Sequence, residues 1–198
     1  MKKIMKKFII SFLLFLPTIS WGDSADSIYR VQASVVREGD TFLISASYHT
    51  PLTLCQAYQY LTDYEAAIKI PGVIESKAVR QSSGKVLVER SAEEQILFVK
   101  IKLHTLIEYT EYPLLGTEFT QIKGDSKRFS GKWSVSPDSD VGNSAIGTTI
   151  KYQGVLEPDS HVPMFILQYF IQNSLEDRFK LMARLAAERK NQVVVACK

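Results

Sequence analysis

The sequence predicts an α+β domain in which a curved antiparallel β-sheet of about six or seven strands wraps one long C-terminal α-helix. Two short helices follow the first hairpin. Three observations lead there. Met164, Leu167, Ile171, Leu175, Phe179, Met182 and Leu185 recur at spacings of three and four, one apolar stripe within roughly His161–Asn191. Most of the chain before that stripe alternates apolar and polar residues with period two. One stretch with helical spacing, between Leu54 and Lys69, interrupts the alternation. A stripe that long needs a large apolar surface to lie on, and a curved sheet supplies it.

The long helix has recognisable ends. Pro163 suits a first turn, where a missing N–H costs nothing, and Asp159-Ser160 ahead of it can cap. Glu176, Asp177, Lys180, Arg184, Glu188 and Arg189 form the solvated face. A helix of about 28 residues spans about 42 Å. Its first turns are apolar nearly all round (Met164, Phe165, Ile166, Leu167, Tyr169, Phe170, Ile171), so this end is expected to meet more than one sheet face. Core packing accounts for that; a ligand chamber is the sharper reading.

Residues 1–22 read as a secretory signal peptide. Lys2, Lys3, Lys6 and Lys7 are a positive start, Phe8–Leu16 is an apolar stretch, Pro17 breaks it, and Ser20-Trp21-Gly22 offers a small-residue cleavage site. An uncleaved N-terminal anchor is the alternative, but the run is short for a permanent span. Export, most simply to a periplasm and otherwise by secretion, is the expectation. Residues 23–198 then form a single domain with its core at about 41–190. Removing the leader also removes four lysines and no acids from 24 basic and 21 acidic residues, which leaves a net charge of about −1. No basic surface remains to suggest nucleic acid.

Cys55 and Cys197 both survive cleavage. In an exported protein an even pair is a disulfide candidate; otherwise Cys55 is a small residue on a short helix and Cys197 a tail residue. No C-x-x-C or metal-ligand cluster is present, and His49, His104 and His161 stand apart and read as surface or turn residues. No metal or cofactor is expected.

In chain order, Tyr29, Val31, Ala33 and Val35 alternate with polar residues, Arg37-Glu38-Gly39-Asp40 turns, and Phe42, Ile44, Ala46 and Tyr48 alternate again as a hairpin. Leu54, Ala57, Tyr58 and Leu61 change to helical spacing, with Thr53 and Gln56 as a capping box. A second short helix, Tyr64–Lys69, is capped by Asp63 and stopped by Pro71-Gly72. Strands follow near 74–81 and 86–94, split by Ser82-Ser83-Gly84-Lys85. The strand near 96–111 puts Leu97, Val99, Ile101, Leu103, Thr105, Ile107 and Tyr109 on one face and Lys100, Lys102, His104, Glu108 and Thr110 on the other. That is an antiparallel strand buried on one side. Segments 119–123, 129–135 and 150–156 complete the run. So many strands with one apolar face need a cover, which the long helix provides. The space between a curled sheet and one helix is a natural apolar ligand site. Gly131 and Gly154 on apolar faces fit sharp bends or tight packing equally well.

The segment Leu61-Thr62-Asp63-Tyr64-Glu65 with Ile70-Pro71-Gly72-Val73 resembles a signature of the START / polyketide cyclase–dehydrase (SRPBCC) superfamily. So do Gly131-Lys132-Trp133, Gly147-Thr148-Thr149-Ile150-Lys151-Tyr152, Pro158 and Pro163, and the likeness covers roughly Thr41–Lys190. The resemblance implies a helix-grip fold with a hydrophobic cavity between sheet and long helix. It also implies binding or transfer of lipids, quinones, sterols or polyketides; some relatives are similar to coenzyme Q-binding proteins and others to aromatase/cyclases. In that fold the two short helices support the C-terminal part of the long helix, which would bring Cys55 toward Cys197. The export signal and the extra strand near Ile28–Val36 depart from the pattern.

The expected function is therefore an exported carrier of a hydrophobic small molecule or lipid, quinone-like ligands among them. The expected lining is Leu97, Val99, Ile101, Leu103, Ile107, Tyr109, Phe129, Trp133, Tyr152, Met164, Leu167 and Ile171. No nucleophile–base–orienter set is legible, so no catalytic residue is assigned. Glu89 is the candidate polar cavity group, provided that Leu87 and Glu89, rather than Val86 and Val88, face inward. A cyclase- or hydratase-like enzyme using Glu89, Tyr109 or Tyr152 is one alternative. The other is a module whose apolar helix end docks a partner or makes transient contact with a membrane. Oligomeric state is not encoded in any of these patterns.

Overall fold

A computed structural model describes residues 27–96, 99–138, 147–192 and 197. Residues 1–26, which include the predicted leader, and residues 97–98, 139–146, 193–196 and 198 lie outside the described residues. Eight strands, β1 (Gln32–Glu38), β2 (Thr41–Thr50), β3 (Val73–Arg80), β4 (Val86–Ile96), β5 (Val99–Tyr112), β6 (Gly116–Gly124), β7 (Ser126–Pro137) and β8 (Thr148–Pro158), form one antiparallel sheet. Its order is β1-β2-β8-β7-β6-β5-β4-β3. The last strand returns to pair with the first hairpin, so β2–β8 joins that hairpin to the β3–β8 meander.

Eight strands exceed the six or seven expected, although each overlaps a segment read from the sequence as a strand. In β3 the apolar Ile74 and Val79 are exposed while Ser76 is buried, so hydropathy understates a strand that pairs along its length with β4. In β6 the pairing with β5 skips Ile122, a bulge that leaves this side chain exposed and bends the strand.

Between β2 and β3 lie helix α1 (Leu54–Thr62) and a 3₁₀ segment (Tyr64–Lys69). The Thr53 hydroxyl accepts the Gln56 amide N–H, and the Gln56 side chain accepts the Thr53 N–H at 3.0 Å. That is the expected capping box, worth about 1 kcal/mol. Asp63, by contrast, makes no side-chain cap, and its carboxylate pairs with Arg189 at 2.8 Å.

Helix α2 (Met164–Ala187) is shorter than the predicted His161–Asn191: 24 residues, about 36 Å. Pro163 itself occupies the N-cap position with extended geometry, and Ser160 Oγ accepts the Val162 N–H rather than capping. Leu167, Leu175, Phe179, Ala183 and Ala186 are its buried residues. It packs on β1 and β2, while α1 packs on β6, β7 and β8. Phe165 and Tyr169 remain about two-thirds exposed, so the all-round apolar start of α2 is only partly covered among the described residues.

Rings fill the space between sheet and helix. Phe179 of α2 meets Tyr48, Trp133 and Tyr152 at centroid distances of 6.2, 6.0 and 5.8 Å. The chain of contacts continues through Tyr152–Phe119 (6.1 Å), Phe119–Tyr109 (5.6 Å) and Tyr109–Tyr64 (4.5 Å). Such pairs add to the area that each ring buries.

Candidate functional site

Val86 and Val88 are buried at 1% and 0%, which settles the parity of β4. Even positions face the helix, so Arg90 points inward and Glu89 does not. Glu89 is a correction to the expected polar cavity group: its carboxylate is half exposed and meets His104 Nε2 at 3.0 Å on the solvent side.

A partly open cavity of about 90 Å³ lies between α1, the 3₁₀ segment, β4, β5, β7 and the last turns of α2. Tyr109 and Trp133 are its ring surfaces on the sheet, Tyr60 and Tyr64 face them, and Met182 and Leu185 come from α2. Arg90 lines it from β4, and Asp63, Lys69 and Arg189 bring charge to its rim. A wider saddle of about 580 Å³ on the outer sheet face is lined largely by serine, lysine and glutamine, the wrong chemistry for an apolar ligand.

The wall between α1 and α2 is stapled. Cys55 and Cys197 form a disulfide with Cα atoms 5.8 Å apart. Gln56 Nε2 donates to the Lys190 carbonyl at 3.1 Å, and the Tyr60 hydroxyl donates to the Met182 carbonyl at 3.0 Å. Arg189 pairs with Asp63 and lies over the Tyr60 ring, 5.2 Å from its centroid. On the other flank, Glu111 accepts a two-pronged bond from Arg80 (2.6 and 3.0 Å) and the Tyr64 hydroxyl at 3.0 Å. Two of the three cavity tyrosines thus have their hydroxyls committed to the protein.

Burial dominates the electrostatics here. Desolvation pushes Tyr60 up to about 12, with the Arg189 charge pulling the other way. Tyr64 is raised further, by burial first and then by Glu111. Tyr109 is raised by burial although the Arg90 guanidinium beside its hydroxyl lowers it. All three are neutral donors at neutral pH.

Of the expected lining, Tyr109 and Trp133 reach this cavity. Ile107 and Tyr152 are buried in the ring-filled core, where Phe129 packs half-buried. Ile101 and Leu103 are half-buried farther along β5. Leu167 is buried on α2, with Met164 and Ile171 half-buried. Ile171 is eleven residues up the helix from Met182, about 16 Å along its axis, so this cavity is at the C-terminal half of α2 and not at its apolar start. Leu97 and the Val99 side chain lie outside the described residues. The sequence reading missed Tyr60, Tyr64 and Arg189, and left Arg90 open with the parity of its strand. Arg90 follows once the parity of β4 is known, whereas nothing local marks Arg189.

His49 is less isolated than expected: its Nδ1 lies 2.7 Å from Asp138 Oδ2 where β7 ends. Among the described residues no three His, Cys, Asp or Glu side chains converge as metal ligands, and no helix is long and apolar enough to cross a membrane.

No family model and no curated protein matches the sequence. Solved structures do. A protein from Thermus thermophilus superposes with a TM-score of 0.60 at 17% identity, covering 74% of this chain and 95% of its own. A STAR-related lipid transfer protein from Xanthomonas axonopodis gives 0.59 at 13% identity, with 82% and 93% covered. The Zhui aromatase/cyclase from a Streptomyces species gives 0.54 at 11%, with 77% and 97% covered. At such identities the likeness shows the fold: the chain has the helix-grip architecture of START-type lipid transfer and aromatase/cyclase proteins.

Proposed function

We propose that this protein is an exported carrier that binds a hydrophobic small molecule or lipid without altering it. The observation that carries the reading is the cavity bounded by Tyr60, Tyr64, Tyr109 and Trp133 inside a fold whose neighbours include a lipid transfer protein and an aromatase/cyclase. Apolar rings with a few placed polar groups are the usual chemistry of a small-molecule site. The disulfide supports the exported reading, since such bonds persist in oxidising compartments.

Size narrows the binding mode. At about 90 Å³ the cavity is smaller than the sites that hold whole drug-sized ligands, so it receives one ring or head group rather than a whole sterol. The rest of the ligand then lies in the opening between Ala66–Ile70 and Leu185–Arg189, or displaces Trp133 from its stack on Tyr152 (4.6 Å). The enzymatic alternative loses Glu89 to solvent and Tyr152 to the ring core, which leaves Tyr109 as its one candidate.

Native mass spectrometry of the gently purified protein, followed by organic extraction, tests the reading. A stoichiometric, chemically intact ligand is expected, with retention lost in Trp133→Ala. A clean ligand-free mass that persists across lipid and quinone panels overturns it.

A further inference from the structure

We infer that the ligand carries a carboxylate or a like oxyanion on its apolar body, received in the cavity by Arg90 with the Tyr109 hydroxyl beside it. The inference rests on the cavity being the ligand site. It starts from the sheet register. Arg90 stands opposite Ser76 of β3 and Thr105 of β5, in an inward-facing row where a charge meets two neutral hydroxyl residues. The bond from Arg90 Nε to Ser76 Oγ is long, 3.4 Å, and the Ser76 proton is already donated to the Tyr64 carbonyl at 2.7 Å.

Every acid that could serve Arg90 is engaged elsewhere. Glu89 meets His104 outside the sheet, Glu94 holds Arg178, Glu111 holds Arg80 and Tyr64, and Asp63 holds Arg189. Among the described residues Arg90 has no carboxylate partner. An inward guanidinium without a counter-ion is unfavourable, and a bidentate oxyanion is the partner that its planar fork fits best.

The surroundings agree. Lys69, Arg90 and Arg189 line the cavity against the single acid Asp63, and Arg189 is the cation that Asp63 neutralises. Two positive charges are therefore left to face the ligand. The Tyr60 and Tyr64 hydroxyls are used by Met182 and Glu111, so among the cavity tyrosines it is Tyr109, beside Arg90, whose hydroxyl is left for a ligand. The ring walls of Tyr64, Tyr109 and Trp133 favour a flat apolar body behind the charged group.

Matched pairs test this on the full-length oxidised protein by titration calorimetry at neutral pH: 1-naphthoate against 1-naphthamide, and octanoate against octanamide. Each carboxylate is expected to bind about tenfold or more tighter than its amide, with the preference falling at high salt. Arg90→Gln is expected to erase the preference and leave amide binding in place. The ring pair binding tighter than the chain pair identifies an aromatic acid, and the reverse a fatty acid. Equal binding of acid and amide overturns the inference while the hydrophobic site stands. A preference that survives Arg90→Gln also overturns it. No binding of any of the four removes the site itself.

A second measurement guards against a purely structural arginine. Ligand-free Arg90→Met is expected to melt no lower than the parent, since no ion pair is lost. A large fall in Tm would mean that Arg90 holds the fold and would overturn the assignment.

Discussion

Gly131 of β7 and Gly154 of β8 face each other across the sheet, and aromatic side chains lie above both. A Cβ at Gly131 would come within 2.3 Å of the Gln153 carbonyl oxygen and 2.8 Å of Phe119 Cζ; at Gly154 it would lie 2.2 Å from the Tyr152 hydroxyl oxygen. Room for a ring at Gly154, and for the neighbouring backbone and a ring at Gly131, rather than backbone freedom, is what this glycine pair supplies.

Gly131→Ala and Gly154→Ala are therefore each expected to destabilise by about 1 to 3 kcal/mol, the usual range for overpacking. Tyr152→Leu removes the ring above position 154, so it should partly rescue Gly154→Ala. It should not rescue Gly131→Ala, whose closest contact is backbone. Chemical denaturation of the four variants checks the pattern, and equal rescue at both positions would refute the geometry.

Stability should fall in alkali through the buried tyrosines. Tyr60 is raised from the usual value near 10 to about 12, so the folded state holds its proton more tightly than the unfolded chain. This contribution is complete below pH 10 and is lost as pH rises to about 12. Tyr48, Tyr64, Tyr109 and Tyr152, also raised by burial, steepen the loss. Tyr60→Phe should flatten the slope between pH 10 and 12 while costing about 1 kcal/mol at neutral pH, where the bond to the Met182 carbonyl is lost. Denaturant midpoints against pH measure both effects, and an unchanged slope would sink the assignment.

The disulfide closes a separation of 142 residues. Loop entropy puts its contribution at about 2 to 5 kcal/mol. Thiol reductant should lower the Tm of the parent, and the double variant Cys55→Ser/Cys197→Ser should melt low with or without reductant. A parent indifferent to reductant would mean that the bond does not form.

Arg178 of α2 grips Glu94 of β4 with both carboxylate oxygens at 2.5 and 2.6 Å, yet both side chains are roughly a third exposed. Solvent screens the pair, so a double-mutant cycle with Arg178→Ala and Glu94→Ala should give a coupling of about 0.5 to 1 kcal/mol that shrinks with salt. A coupling near zero at low salt would assign the docking of α2 on this hairpin to apolar packing alone.

Local pattern carried a large part of the fold. Alternation along β5, the capping box at Thr53, and the three–four stripe of α2 are written in consecutive residues, because strand and helix periodicities are properties of the backbone. The parity of β4 was not, since Val86-Leu87-Val88 is apolar on both faces and only the pairing partners select one. That single choice moved the inward polar group from Glu89 to Arg90.

By itself, then, the sequence determined which segments are strands or helices and that one long helix covers the sheet. Tertiary structure decided where the interior is full and where it is open. The apolar start of α2 has the composition of a cavity wall, yet Phe165 and Tyr169 there stay largely exposed, and the rings of Phe119, Tyr152 and Phe179 pack beside Trp133. The open space lies instead where Tyr60, Arg90, Trp133 and Arg189, far apart in the chain, converge around the disulfide-stapled end. Hydropathy records what each residue prefers to touch, whereas volume left unfilled is a property of all neighbours at once, which no local pattern encodes.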